Sequence, residues 1–259
     1  MVTPERPQRV NILGVGVSAV NMPQALAIID GWLAARLPRY VCVSNVHSIM
    51  SCQADAELRA IHNAAGMVTP DGMPLVWLSR RSGYRHVARV YGPDLLLALC
   101  EHGLRHGYRH YFYGGAEGVA ARLAAQLTAR FDGLQVAGTY APPFSALSPA
   151  EDAQITAQIA ASGAHIVWVG LGMPKQERWM AAHTARLPQV LIGVGAAFDF
   201  HSGMKRQAPR WMQQRGLEWL FRLTSEPRRL WRRYLTTIPP FVVLAAAQQL
   251  GWRRYHLTD

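Results

Sequence analysis

Hydrophobic positions along the chain fall into two alternating rhythms. Short runs of β-branched and aromatic residues read as strands: "RVNILGVGV" from Arg9, "RYVCVSN" from Arg39, "RHYFYGG" from Arg109, "LQVAGTY" from Leu134, "AHIVWVGLG" from Ala164 and "QVLIGVGAAFDF" from Gln189. Between them, apolar residues recur at helical spacing in "MPQALAIIDGWLAA", "DAELRAIHNAA", "GPDLLLALCEHGLRHG", "AEGVAARLAAQLTARF", "SPAEDAQITAQIAASG" and "PKQERWMAAHTARL". Pro23 near the first turn of one helix, and Ser148 with Pro149 at the start of another, are the expected start signals. Strands alternating with helices imply βαβ units. The expected fold class is α/β: a Rossmann-like, mostly parallel sheet with helices on both faces.

Four of the strands end in glycine, at Gly14 and Gly16, Gly114 and Gly115, Gly170 and Gly172, and Gly193 and Gly195. Ligands of open α/β sheets bind beyond the carboxyl ends of the strands, and backbone N–H groups exposed there suit a diphosphate. Glycine also serves tight turns, so each loop has a purely structural reading. "GVGVSA", from Gly14 to Ala19, matches a dinucleotide fingerprint directly after a strand. Its following helix starts too late, and Asp30 falls inside that helix instead of at a strand end. An NAD(P)-dependent oxidoreductase is therefore the alternative enzyme reading.

Half of the residues are hydrophobic and 17% are charged, which supports a large core and excludes wholesale disorder. The net charge of +11 is concentrated late in the chain: from Lys205 onward eleven basic residues face three acidic ones, so this part carries +8. The chain accordingly divides into a body, 1–204, and a basic helical C-terminal appendage, 205–259, which should meet an anionic partner. Cys42, Cys52 and Cys100 form no CxxC pair, which fits a reducing compartment. "MVTPERPQRV" contains no apolar leader.

Leu235 to Trp252 is uncharged but contains Pro239 and Pro240, and its strongly apolar part is shorter than the roughly 20 residues a spanning helix needs. Arginines at both ends, with Trp231, Tyr234, Trp252 and Tyr255, suit a segment lying in a membrane interface. A helix packed on the core, with a basic outer face, is the structural alternative. A non-catalytic module binding membrane or nucleic acid would also use such a tail, but no nucleic-acid-binding module is present.

Candidate chemistry is sparse. His102 and His106 share a helix face without HExxH or a nearby carboxylate ligand, and DxD, GxSxG and P-loop motifs are absent. Asp71 stands in "VTPDGMP", between Pro70, Gly72 and Pro74. It is either a turn former or a carboxylate held at a pocket rim.

Two long stretches narrow the choice: "VGLGMPKQERWM" at 169–180 and "GVGAAFDFHSGMKRQAPRWMQQRGLEWLFRLTSEPRR" at 193–229. With "SNVHSI" at 44–49 and "VTPDGMPLVW" at 68–77, they resemble the WecG/TagA/CpsF family of glycosyltransferases, glycosyltransferase family 26, from about Ile12 to about Arg233. The resemblance implies an inverting, metal-independent transferase without cofactor. It would move a sugar from a UDP-sugar donor to a sugar on a polyprenyl diphosphate, in bacterial envelope or exopolysaccharide assembly. By the same resemblance Asp71 is the catalytic base. Asn45, Arg89, Gly172, Gln176, Gly193 and Gly195 belong to donor binding. Arg222, Arg228 and Arg229 meet the acceptor diphosphate or the membrane, and the expected location is the inner face of the cytoplasmic membrane. Val43 replaces a frequent Thr, and "TPDGMP" replaces the "ADGxG" of teichoic-acid members, which leans the donor from N-acetylmannosamine toward glucose. A homo-oligomer is compatible with all of this.

On elementary chemistry, inversion needs a base for the attacking hydroxyl and charge stabilisation for the leaving diphosphate. Asp71 suits the first task. Arg89, as a planar fork, and the helix opening at "PKQE" suit the second. Gln176 could bond uracil, ribose or sugar; Lys175 and Glu177 read as a solvated pair; Asp199 reads either as a ribose contact or as a cap for the turn before Gly203.

Overall fold

The computed structural model describes residues 6–257 except 144 and 146; the first five residues, part of the stretch without an apolar leader, and Asp259 lie outside them. Six strands form one wholly parallel sheet: β3 (Arg39–Ser44), β4 (Met67–Pro70), β5 (Arg109–Gly114), β6 (Gln135–Tyr140), β7 (Ile166–Gly170) and β8 (Val190–Gly193), in the order β4-β3-β8-β7-β5-β6. Successive side chains enter opposite faces. Tyr111 and Tyr113 join one buried cluster with Val167 and Val169, while Phe112 joins the other with Ile166 and Trp168. Both faces are covered, which explains why the strands read as continuous apolar runs.

The first expected strand is a hairpin instead. β1 (Arg9–Ile12) and β2 (Val15–Ser18) pair antiparallel around Leu13 and Gly14, whose φ values are 51° and 81°. Positive φ at both central residues is the mark of a tight hairpin turn whose twist matches the strands. The glycines of "GVGVSA" therefore shape a hairpin outside the parallel sheet, not a phosphate-cradling strand–helix loop. That removes the sequence basis of the dinucleotide reading.

Three elements escape the periodicity. Helix Val46–Ala54 starts at the "SNVHSI" motif, and β4 with helix Met73–Arg81 flanks the "PDG" turn. All three are too short and too mixed in polarity to announce themselves.

The appendage is helical throughout its main course, in Arg210–Gln214, Glu218–Ser225 and Pro227–Gln249. Pro239 and Pro240 lie inside the last helix, which buries Leu230, Thr237, Phe241 and Ala245 and packs on helix Val46–Ala54. Its far end returns to the hairpin. The Gln248 amide donates to the Asn11 carbonyl at 2.9 Å and accepts from the Leu13 N–H at 3.0 Å, while the Asn11 amide donates to the Tyr255 carbonyl at 2.7 Å. No helix among the described residues is long and apolar enough to cross a membrane.

Candidate active site

All six parallel strands present their carboxyl ends to one edge, and a cleft of about 1700 Å³ opens there. β3 and β4 supply its floor. Ser44 pairs with Pro70, and the Asp71 N–H extends the ladder to the Ser44 carbonyl at 2.9 Å. Asn45 and Asp71 consequently leave neighbouring strands side by side. Asn45 caps helix Val46–Ala54, its Oδ1 accepting from the His47 and Ser48 N–H groups at 3.0 and 3.3 Å. The Asn45 side chain also hydrogen-bonds Asp71.

The Asp71 carboxylate does not serve its own turn. Arg89 Nη2 lies 3.3 Å from Asp71 Oδ1, and Arg89 Nε donates to the Asp71 carbonyl. Arg89 Nη2 also donates to the Glu218 carboxylate, and Nη1 to Gln213 Oε1 at 3.4 Å. Beneath the guanidinium, at 3.9 Å, is the ring of Tyr91, whose hydroxyl donates to Glu218 Oε1 at 3.0 Å. Arg89 was expected to offer its fork to phosphate. Here the fork is spent on protein groups, because two carboxylates and a glutamine surround it. Glu218, Gln213 and Tyr91 are site residues that sequence reasoning missed. The signal for Glu218 was its place in "GLEW", a stretch quoted for resemblance and given no chemical role.

Burial pushes the Asp71 carboxyl up to about 6, against the opposing pull of Arg89; Glu218 adds to the rise, and hydrogen bonds from Asn45 and Arg89 limit it. Such a group is ionised at neutral pH yet basic enough to accept a proton in a reaction. Tyr91 is held protonated, raised by burial and by the neighbouring Glu218 and Asp71.

β7 and β8 build the opposite wall. Gln176, 5% exposed, donates from Nε2 to Glu177 Oε1 at 2.9 Å, while its Oε1 has no partner among the described residues. Gly193 and Gly195 lie directly against Gln176. A Cβ on Gly193 would come within 2.7 Å of Met180 and 3.1 Å of the Gln176 amide. These two glycines are therefore packing positions for Gln176, whereas Gly172, at φ 75°, has open space around it. Glu177 is not half of a solvated pair: it is 1% exposed, and burial raises its pKa. The Asp199 carboxylate meets Lys205 at 3.3 Å, and its carbonyl accepts from the Met204 and Lys205 N–H groups, closing the turn at Gly203.

The appendage roofs the cleft. Arg222, Arg229 and Arg233 line it, but Arg228 does not: it sits on the exposed outer side. Arg229 is paired with Glu226 at 2.6 Å. Burial, then the neighbouring Arg222, lowers the Arg233 pKa. Burial and the same two arginines, Arg233 and Arg222, depress His47 to about 4, so it is neutral. A positive field at a cleft wall is a site for an anion.

Away from the cleft, Asp30, His102 and His106 bring ligand atoms within 4.8 Å of one another. The expectation of no nearby carboxylate ligand does not hold in space: His102 Nε2 bonds Asp30 Oδ2 at 2.5 Å, and the Tyr108 hydroxyl donates to Asp30 Oδ1 at 2.9 Å. Both Asp30 oxygens thus already have partners, which makes the cluster a helix–helix clasp.

The comparisons agree with this geometry. An N-acetylglucosaminyldiphosphoundecaprenol N-acetyl-beta-D-mannosaminyltransferase of Bacillus spizizenii (strain ATCC 23059 / NRRL B-14472 / W23) is 29% identical over 220 residues, covering 85% of this chain and 83% of the relative. The Glycosyl transferase WecG/TagA/CpsF family matches residues 10–255, which include the floor, the opposite wall and the roof of the cleft. The chain belongs to the WecG/TagA/CpsF family and is a glycosyltransferase.

Proposed function

We propose that the protein transfers a hexosyl or N-acetylhexosaminyl group, with inversion and without metal, from a UDP-sugar to a polyprenyl-diphosphate-linked sugar. The observation that carries this reading is Asp71: a carboxylate at the cleft floor, pushed up to about 6 and bonded by Arg89 and Asn45. The acceptor hydroxyl attacks the anomeric carbon, its proton passes to an Asp71 oxygen, and the anomeric C–O bond to UDP breaks on the opposite face. Asp71 and Glu218 are both engaged by Arg89, so neutralisation of diphosphate falls to Arg222, Arg229, Arg233 and the helix opening at Lys175. Gln176 Oε1, buried and unpartnered, is the acceptor available to a donor hydroxyl or N–H.

The body 1–204 binds the donor and the appendage 205–259 meets the acceptor and the membrane. Leu235, Val242, Val243 and Trp252 are 58–80% exposed on the appendage, close in sequence to Arg232, Arg253 and Arg254. Apolar side chains among arginines suit peripheral attachment to an anionic membrane face. The name of the Bacillus relative favours N-acetylmannosamine, and the "TPDGMP" turn favours glucose.

The test is a transfer assay with labelled UDP-glucose and UDP-N-acetylmannosamine. Each is offered to polyprenyl-diphosphate glucose and polyprenyl-diphosphate N-acetylglucosamine, with EDTA present. Label entering the lipid fraction, and lost in Asp71→Asn, is the expected result. Equal transfer by the variant would remove Asp71 from the role of base, and a requirement for added metal would overturn the metal-free mechanism.

A further inference from the structure

Among the described residues, the hydrogen bonds of the Glu218 carboxylate go to two residues of the body, Arg89 and Tyr91, both beside the candidate base. Its carboxylate lies between Arg89, which it bonds through Oε2, and Tyr91, whose hydroxyl it accepts at 3.0 Å through Oε1. Arg89, 129 residues from Glu218 in sequence, in turn reaches Asp71. Glu218 begins helix Glu218–Ser225 of the appendage and is 16% exposed, as is Arg89, so this pair is largely shielded from solvent. A buried charge is retained only where its partners compensate it, and here the compensation crosses from appendage to body.

We propose that Glu218 is a positioning residue for sugar transfer: by taking Arg89 and Tyr91 it sets the orientation of the guanidinium and keeps part of its charge from Asp71. The inference rests on the reading of Asp71 as base. Three features support it. Arg89 Nη2 is shared between Asp71 and Glu218, so the orientation of the fork depends on both carboxylates. Without Glu218, one cation would face Asp71 alone and hold its charge more firmly. Glu218 is also one of the two carboxylates within this network, and its charge helps keep Asp71 basic.

The charged and titratable groups facing the network are few. Arg89 and Tyr91 come from the segment before helix Gly92–Gly103, and Glu218 from the appendage. Arg222 follows on the helix of Glu218, Arg229, Arg233 and Tyr234 come from the next helix, and neutral His47 from the helix that Asn45 caps; all line the same cleft. Replacing Glu218 by Gln removes one negative charge and frees Arg89 for Asp71. Both changes lower the pKa of Asp71 and weaken it as a base.

The experiment compares wild type, Glu218→Gln, Tyr91→Phe and Asp71→Asn in full-length protein, measuring kcat and donor KM from pH 5 to 9 together with UDP binding. Glu218→Gln is expected to lower kcat at least tenfold, to move the acid limb of the kcat profile below its wild-type position, and to leave the UDP affinity within about threefold. Tyr91→Phe, which loosens Glu218 without changing charge, is expected to lower kcat severalfold with an unchanged donor KM, and it carries the test if the Gln variant does not fold. Wild-type kcat and an unmoved acid limb in either folded variant, alongside an inactive Asp71→Asn, would overturn the role of Glu218 alone. An active Asp71→Asn would overturn the base itself, and with it this inference.

Discussion

Asn45 and Asp71 stand side by side because Ser44 and Pro70, the residues before them, are register partners in adjacent parallel strands. One face of the Asn45 amide caps a helix and the other bonds the carboxylate of Asp71. Asp is as good an N-cap as Asn but cannot donate a hydrogen bond when ionised. Asn45→Asp should therefore keep the cap but set a second negative charge beside Asp71, so activity falls at least tenfold, the acid limb rises and the melting temperature drops at neutral pH. Asn45→Ala should lose both roles, with about 1 kcal/mol of stability lost to the missing cap. Paired melting curves and pH–rate profiles separate the two variants.

The raised Asp71 pKa has opposite signs for activity and stability. Activity needs the ionised form, so kcat/KM should fall as pH drops through about 6. Stability runs the other way. The folded value lies above the ordinary carboxylate value of 3.8, so the folded protein binds the proton more tightly than the unfolded chain. The contribution of this group is favourable below about 4 and is lost as pH rises to about 6. Asp71→Asn should then be inactive yet more stable than wild type at pH 7.5, by on the order of 1–3 kcal/mol, as judged by urea denaturation.

Arginine substitutions should divide by position. Arg222→Ala and Arg233→Ala, inside the cleft, should raise the acceptor KM at least tenfold in detergent, where no membrane is present. Arg228→Ala, on the outer side, should change it less than twofold in detergent and act only on vesicles of anionic lipid. Equal effects for all three in detergent would contradict the division.

Gly114, at the end of β5, has φ 127°, and a Cβ there would fall 2.6 Å from the Gly170 carbonyl carbon at the end of β7. No flexible side chain is available to yield. Gly114→Ala should cost about 3 kcal/mol or more, from backbone strain and overpacking together. Gly118, also at positive φ but with open space around it, should lose only the backbone part when replaced by Ala. Denaturant melts of the two variants provide the comparison.

The β5, β6, β7 and β8 segments, and the helices between them, were legible because each buries an apolar face of regular period. The hairpin was not, because Leu13 and Gly14 interrupt an apolar run without an Asn-Gly or Asp-Gly signal. At the site, Asp71, Asn45 and Gln176 were legible through the family motifs, and the structure brings all three to one cleft. Which side chain holds which was not. The Arg89–Glu218 pair links positions 129 residues apart, and Arg228 differs from Arg229 only by its angle around a helix. Partner choice at such distances is decided by tertiary packing, to which no local pattern is sensitive.

The bonds from Gln248 and Tyr255 to the hairpin give the appendage a second moorage, remote from the cleft. They join residues 235 to 244 positions apart, among the longest loops the chain closes. Contacts of such separation form late, because the entropy of closing the loop is spent before they return anything. During synthesis the hairpin is made 235 to 244 residues ahead of these partners. The roof over Asp71 and its tether are then laid down together, after the strands and helices of the body, so the cleft stays open until helix Pro227–Gln249 has been made.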